Sequence, residues 1–349
     1  MLAAVLSNSP RQEKFKYSLQ VKEHTVPEAR SDQAVVQIQA AALNHRDIWI
    51  LKGLYPGIKP ESVLGADAVG VLLKSSGAGQ AKVGQRVLIS PSVNWDSNPR
   101  GPEGAFSILG LLPNPGTLAE TINIDEKEVF PCPDHLTTAE AAALPLAGLT
   151  AYRATFTKGR VQKGDHVLVT GIGGGVALFA LQFAVAAGAN VYVTSSSPEK
   201  IRKAVELGAK GGVNYKDPNA GAELKKLLNG AKISTVVDGS GGQLFDQFVR
   251  VMDNGGVIVQ YGQTASPKGV NFNMTAVLKN IDICGSTMGS RVEFKELLEF
   301  VSKHNIHPIV SDVYHGLTQQ NVDDAFERLE QGGQFGKVVI EVQNTRQKL

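Results

Sequence analysis

The chain has 349 residues, of which 42% are hydrophobic and 19% charged, so it folds as a globular protein of two domains or one large one. Lys plus Arg number 35 against 33 Asp plus Glu, a formal +2, which argues against nucleic acid or an anionic membrane as the main partner. Two cysteines, Cys132 and Cys284, exclude a disulfide framework and a cysteine-rich structural zinc site, and point to a reducing, cytoplasmic setting. The opening MLAAVLSNSPRQEK lacks a basic n-region and a full apolar h-region, so no secretory signal is expected. The most apolar run, residues 176–193, is interrupted by Gln182, Gly188 and Asn190 and reads as a buried helix and strand, not a membrane span.

The first 130 or so residues read as mostly β. Residues 34–40 alternate with period two, the pattern of a half-buried strand. Residues 65–73 and 85–89 are further strands, separated by turn residues. Residues 91–115, rich in Pro, Gly, Asn and Ser, form a long loop or lobe. From Leu136 the pattern changes. Thr137-x-x-Glu140 is a capping box, so a helix starts there and Pro145 kinks or divides it. Residues 166–170 are a buried strand, 171–175 a glycine turn, 176–187 a helix and 190–194 the next strand. Ser197-Pro198-Glu199-Lys200 starts another helix, with Ser at N-cap and Pro at N1. Residues 212–215, 235–238 and 256–261 continue the strand series, with helical stretches between. Such alternation means βαβ units and a doubly wound parallel sheet. Ser290-x-x-Glu293 caps a helix through Val301, and residues 335–342 are a closing strand. The organisation is α/β: a Rossmann-type domain over 140–290, inserted in a β-rich domain made of 1–139 and 291–349.

The turn reads Val167-Leu168-Val169-Thr170-Gly171-Ile172-Gly173-Gly174-Gly175-Val176-Ala177. Glycines between a buried strand and a helix start let backbone N–H groups approach a pyrophosphate. The fingerprint spaces either as Gly171-x-Gly173-x-x-Val176 or as Gly171-x-x-Gly174-x-x-Ala177. The next strand ends in Thr194-Ser195-Ser196-Ser197, with no acid before Glu199 to take a ribose 2′-OH. Ser195 and Ser196 hydroxyls suit a 2′-phosphate instead, with Lys200 and Arg202 supplying charge a turn away, so NADPH is the expected cofactor. Ser197 is a plain helix cap in this reading. Tyr215, after the third strand, is placed to cover the adenosine.

Leu43-Asn44-His45-Arg46-Asp47, Gly53-Leu54-Tyr55-Pro56, Gly65-Ala66-Asp67-Ala68-Val69-Gly70, Ala141-Ala142-Ala143-Leu144-Pro145, Leu149-Thr150-Ala151-Tyr152, the glycine turn and Phe335-Gly336-Lys337-Val338-Val339 carry a resemblance to a known family. The chain resembles a medium-chain dehydrogenase/reductase of the quinone oxidoreductase-like and enoyl reductase-like branch, often labelled zinc-type alcohol dehydrogenase-like. The resemblance implies a GroES-like catalytic domain around the Rossmann domain, a small-molecule substrate, and frequent dimerisation, so a homodimer is an expected form. Zinc members of the family hold a catalytic metal by Cys, His and Cys. The matching positions here are Asn44, Ala66 and Leu146, and residues 91–115 carry none of the four cysteines of the structural zinc site. Ala and Leu cannot ligate a metal, and an amide is a poor zinc ligand, so no metal is expected.

The resemblance also implies a nicotinamide in a cleft at the strand ends, with Asn44, Tyr55 and Thr150 around it. A Tyr matching Tyr55 is implicated there in protonation or substrate positioning. Asn44 can hydrogen-bond a carbonyl or the nicotinamide amide, and Thr150 backs the nicotinamide ring. The backbone of Gly262, Gln263 and Thr264 is expected to border the same ring, and residues 237–242, Asp238 included, the cofactor edge. Residues 94–112 and 271–288 are the expected pocket loops. Asp47 is read as a pairing or capping residue, and the pair His304 and His307 as surface groups near a helix end. Without a Lewis acid, alcohol oxidation loses its usual means of forming an alkoxide, whereas a quinone or an α,β-unsaturated carbonyl is already electrophilic. The sequence therefore reads as an NADPH-dependent, zinc-independent reductase of such acceptors. The alternatives are an alcohol or aldehyde dehydrogenase of the same fold, and an NADPH-binding protein without turnover.

Overall fold

The computed structural model describes residues 1–9, 13–241, 245–264 and 272–342. Gly242 and Asn271, expected near the cofactor edge and in a pocket loop, lie outside them. The chain divides into two units, Met1–Leu146 with Ser290–Leu349, and Ala147–Gly289. Thr137 and Glu140 form the capping box of the helix Thr138–Ala143, and Pro145 opens a separate helix, Pro145–Tyr152. The first of these helices packs on the strands Gln33–Ala42, Asp67–Lys74 and Lys337–Glu341, so it stays with the β-rich unit instead of opening the second domain.

The first unit is built on a seven-stranded sheet. At its centre Gln33–Ala42 pairs antiparallel with Asp67–Lys74, Thr121–Asp125 and Lys337–Glu341. The alternation read from the sequence is the burial pattern: Ala34, Val36, Ile38 and Ala40 face the core. Arg86–Ile89 and Val129–Pro131 extend one side, and Val310–His315 the other. The register places Ala42 opposite both Asp67 and Val339. In an antiparallel pair that sets Asn44 against Lys337, so three distant segments meet at one strand end. A short helix, His45–Leu51, follows at once, an element the sequence reading did not include. Among the residues of the 91–115 lobe, Ser92–Val93 pairs with Ser107–Ile108. The Glu103 carboxylate gathers the loop between them by accepting the N–H groups of Asp96, Ser97 and Asn98 at 2.6–2.8 Å.

The second unit is a six-stranded parallel sheet in the order Gly211–Asn214, Asn190–Ser195, His166–Val169, Ile233–Asp238, Met252–Gln260, Asp282–Gly285. Strand order reverses beside His166–Val169, the switch point at which such sheets bind ligands beyond their C-terminal ends. The helix Gly175–Ala186 buries Leu178, Phe179, Leu181 and Phe183 and is apolar nearly all round, as a helix packed into a doubly wound fold must be. Among the described residues no helix is long and apolar enough to cross a membrane.

Candidate active site

The glycine turn has the geometry of an anion cradle. Gly171 and Gly173 take φ of +64° and +120°, which side chains with a Cβ rarely adopt. Gly174 is the N-cap of the helix Gly175–Ala186. The turn is anchored to the neighbouring strand: Gly171 N–H donates to Thr194 Oγ1 at 3.2 Å, and Ile172 N–H to the Thr194 carbonyl at 2.9 Å. The N–H groups of Gly173, Gly175 and Val176 meet no protein acceptor among the described residues. A Cβ added at Gly173 would lie 2.8 Å from Lys200 Cδ and 3.2 Å from its Nζ, so the lysine side chain lies across the turn. Orphan donors and a helix dipole thus meet at the turn, with the Lys200 ammonium on its Gly173 side.

The second strand's end separates the residues expected there. Ser195 is buried and its Oγ accepts the Ser197 N–H at 3.1 Å. Ser196 and Lys200 are half-buried. Ser197 caps its helix by accepting the Lys200 N–H at 3.3 Å. Arg202, expected to supply charge to a 2′-phosphate, is instead taken up by its own helix. Its guanidinium is exposed and pairs with Glu199 at 2.9 Å and with Glu206, one turn away on either side. Tyr215 is half-exposed, and its N–H reaches the Ser195 carbonyl at 3.3 Å.

Two loops close the same strand ends. Thr170 donates to Asp238 Oδ1 at 2.6 Å, and the Asp238 carboxylate accepts the N–H groups of Ser240 and Gly241, both at 3.0 Å. Three of the roughly four lone-pair sites of the carboxylate are thereby used for shaping the loop. Thr264 ties on through its N–H and Oγ1, both 3.1 Å from the Gly239 carbonyl, and Gly262 passes close beside Gly239. Burial raises the Tyr261 phenol well above its ordinary range, and its ring leaves no room for a Cβ at Gly239. Thr150 is buried, with Oγ1 3.7 Å from Met288 Sδ.

In the first unit Asn44, Asp67 and Lys337 form a buried cluster, 7%, 0% and 5% exposed. Lys337 Nζ donates to the Leu43 carbonyl at 2.7 Å, to Asn44 Oδ1 at 2.5 Å and to Asp67 Oδ2 at 2.9 Å. Asn44 Nδ2 donates to Asp67 Oδ2 at 2.9 Å, and Asp67 Oδ1 accepts the Leu146 N–H at 2.6 Å. Gly336 is required at the approach: at φ +125° its missing Cβ would sit 2.4 Å from the Ile309 carbonyl. No role for Asp67 or Lys337 follows from the sequence, where they stand only within the segments 65–70 and 335–339 that carry the resemblance. The available signal is a lysine directly before the apolar run Val338-Val339-Ile340.

Tyr55 is half-buried under Arg46. The guanidinium lies 4.9 Å from the ring centroid, and Nε donates to the phenol oxygen at 3.3 Å. Arg46 Nη1 also donates to the Leu109 carbonyl at 2.9 Å and lies 3.7 Å from Asp47 Oδ1. Asp47 Oδ2 in turn accepts the Asn44 backbone N–H at 2.8 Å, the capping role expected of it. Its complete burial pushes the Asp47 carboxyl above the usual range, with Arg46 opposing. Tyr55 and Asn44 therefore stand at the two ends of one chain of contacts through Arg46 and Asp47. His304 ends its helix as C-cap, and His307 Nδ1 lies 2.9 Å from Glu140 Oε1. Among the described residues no three His, Cys, Asp or Glu are grouped to hold a metal.

Comparison with known proteins matches these two units to two family models, a zinc-binding dehydrogenase over residues 175–303 and an alcohol dehydrogenase GroES-like domain over residues 30–134. The chain is 41% identical over 341 residues to the zinc-type alcohol dehydrogenase-like protein YogA of Leptosphaeria maculans, covering 93% of this chain and 95% of that one. The chain belongs to the medium-chain dehydrogenase/reductase superfamily. A crystal structure of an NAD-dependent alcohol dehydrogenase superposes with a TM-score of 0.86 at 33% identity, over 98% of this chain and all of that one. The 2-octenoyl-CoA carboxylase reductase CinF, in complex with NADP and 2-octenoyl-CoA, superposes with a TM-score of 0.85 at 25% identity, over 100% of this chain and 89% of that one. The protein is an oxidoreductase of this superfamily, with a GroES-like and an NAD(P)-binding Rossmann domain.

Proposed function

We propose that this oxidoreductase is an NADPH-dependent, zinc-independent reductase of quinones or α,β-unsaturated carbonyl compounds. The observation that carries the reading is the Lys337 ammonium 2.5 Å from Asn44 Oδ1. That oxygen is the one donor atom left at the family's metal position, where Ala66 and Leu146 offer none. A fixed cation on it repels a dication, and the amide lacks the charge to compete. Acceptors that are already conjugated suit a site of this kind. The zinc in the names of the matched models and relative therefore does not carry over to these residues.

NADPH is favoured over NADH by Lys200 lying across Gly173, beside the hydroxyl-ended second strand. In this reading the N–H groups of Gly173, Gly175 and Val176 hold the pyrophosphate, Ser196 and Lys200 the 2′-phosphate, and Tyr215 the adenosine. Thr150, Gly262 and Thr264 border the nicotinamide. The bound dihydronicotinamide supplies the hydride. As an enone accepts it, charge grows on the carbonyl oxygen and a proton is needed at the α-carbon. Tyr55, oriented by Arg46, is assigned the proton or the hydrogen bond, and Asn44 a second hydrogen bond. NADPH oxidation measured across a panel of enones, enoyl thioesters and quinones tests the proposal. Consumption with at least one class supports it. Silence across the panel leaves a protein that binds the nucleotide without turnover.

A further inference from the structure

The hydrogen-bond polarity of the Asn44 carboxamide is fixed by its neighbours. Its oxygen meets an ammonium at 2.5 Å and its nitrogen a carboxylate at 2.9 Å. Exchanging O and N would set NH2 against NH3⁺ and a carbonyl against COO⁻, two unfavourable contacts in a buried cluster. Lys337 has three protons and three acceptors, so it has none left to give. Asp67 is taken up by Lys337, the Asn44 amide and the Leu146 N–H. The Asn44 backbone N–H goes to Asp47. Of the side-chain hydrogens on these three residues, the second Nδ2–H of Asn44 alone has no acceptor among the described residues.

We infer that Lys337 and Asp67 lock the Asn44 carboxamide as a one-way hydrogen-bond donor, its remaining N–H offered to a substrate oxygen that gains negative charge. The inference rests on the reductase reading for the identity of that oxygen. Asn44 is then the group that touches substrate, and Lys337 and Asp67 are positioning residues. The buried ammonium does here, through an amide, part of what a metal does directly: it withdraws electron density and turns a donor toward the reacting oxygen. Because Lys337 and Asp67 cancel one another, the site presents a dipole with no net charge and takes a neutral carbonyl that becomes an oxyanion.

The test uses 4-nitrophenol as an oxyanion probe, titrated into full-length protein saturated with NADP⁺ and read by its visible absorbance. The comparison is made in a Tyr55→Phe background, so that the phenol of Tyr55 contributes nothing. The Tyr55→Phe protein is expected to shift the bound probe toward its phenolate by ~10-fold or more. Adding Asn44→Ala or Lys337→Met removes the shift, and Lys337→Arg retains part of it. Asn44→Asp, whose carboxylate donates nothing, reverses the preference toward the neutral phenol. Should Lys337→Met fail to fold, Asn44→Ala and Asn44→Asp still decide. In otherwise wild-type protein, Asn44→Ala should lower enone kcat by ~10²–10³-fold with NADPH affinity unchanged. A probe that is unbound or unshifted, or a shift that survives Asn44→Ala, overturns the inference. An Asn44-dependent shift in a protein that reduces no enone would remove the reductase reading and keep the donor. Full enone turnover in Asn44→Ala would keep the reading and remove the donor.

Discussion

Replacing Lys200 by Met tests the nucleotide assignment at one charge while keeping the length of the side chain. In the folded protein the lysine lies across Gly173, its Nζ 3.2 Å from where a Cβ on that glycine would be. It is half-buried, so its charge acts in a medium between water and protein interior. A unit charge about 4 Å away then contributes ~1–4 kcal/mol, and a net charge-assisted hydrogen bond ~1.5–3 kcal/mol. Taking ~2 kcal/mol, Lys200→Met should weaken NADPH binding about 30-fold. NADH, which lacks the 2′-phosphate, should change by less than about 2-fold. Calorimetric or fluorescence titration of both nucleotides at low and moderate salt gives the comparison. The NADPH affinity of the parent should fall with salt more steeply than that of the variant. Arg202→Ala is the control, because Glu199 and Glu206 already neutralise that guanidinium, and NADPH affinity should hold. Equal losses for both nucleotides, or a larger loss in Arg202→Ala than in Lys200→Met, would show that Lys200 does not hold the 2′-phosphate.

Tyr55→Phe should lower enone turnover by ~10²–10⁴-fold at unchanged NADPH affinity, read by steady-state kinetics; near-full turnover would reduce Tyr55 to a turn residue. Arg46→Lys, which loses both the stack and the Nε donor, should lower kcat in the same direction by ~10-fold while Tyr55 remains. Lys337→Ala leaves Asp67 buried without its cation, and urea unfolding followed in the first unit should show a loss of ~3–5 kcal/mol. The Glu126 carboxylate, held by the Ser75 and Ser76 hydroxyls and the Ser76 and Gly77 N–H groups, is pulled down to about 2. Its folded value lies below its unfolded one, so its stabilisation is present above about pH 4.3 and is lost as pH falls toward about 2. Acid titration of Glu126→Gln should therefore show lower stability at neutral pH and a shallower decline between those limits.

The elements the sequence revealed are those whose cause is local. The strand at His166–Val169, the glycine turn and the helix Gly175–Ala186 follow from period, glycine and cap within a dozen residues. The boxes Thr137/Glu140 and Ser290/Glu293 are likewise complete within four. The helix His45–Leu51 is not legible in the sequence because it is short and its Ile and Trp residues favour strands. The pairing of Arg202 is legible locally: Glu199 and Glu206 are spaced three and four residues away on the helix that Ser197 caps. The Asn44, Asp67 and Lys337 cluster has no local cause. It exists because Ala42 pairs with Asp67 on one side and Val339 on the other, a register that no stretch of sequence states. The same holds for Arg46 over Tyr55, whose anchor on the Leu109 carbonyl comes from 63 residues away.

Zinc-independent reduction is measured most simply as hydride transfer by protein whose metal content has been determined. Purified chain is mixed with NADPH and an enone, or with NADP⁺ and a primary alcohol, each with and without a chelator, while elemental analysis is run on the same sample. Enone reduction indifferent to chelator is expected, in protein carrying no stoichiometric zinc, with little or no alcohol oxidation. One tightly held zinc per chain, together with alcohol oxidation that a chelator abolishes, would contradict zinc-independent reduction.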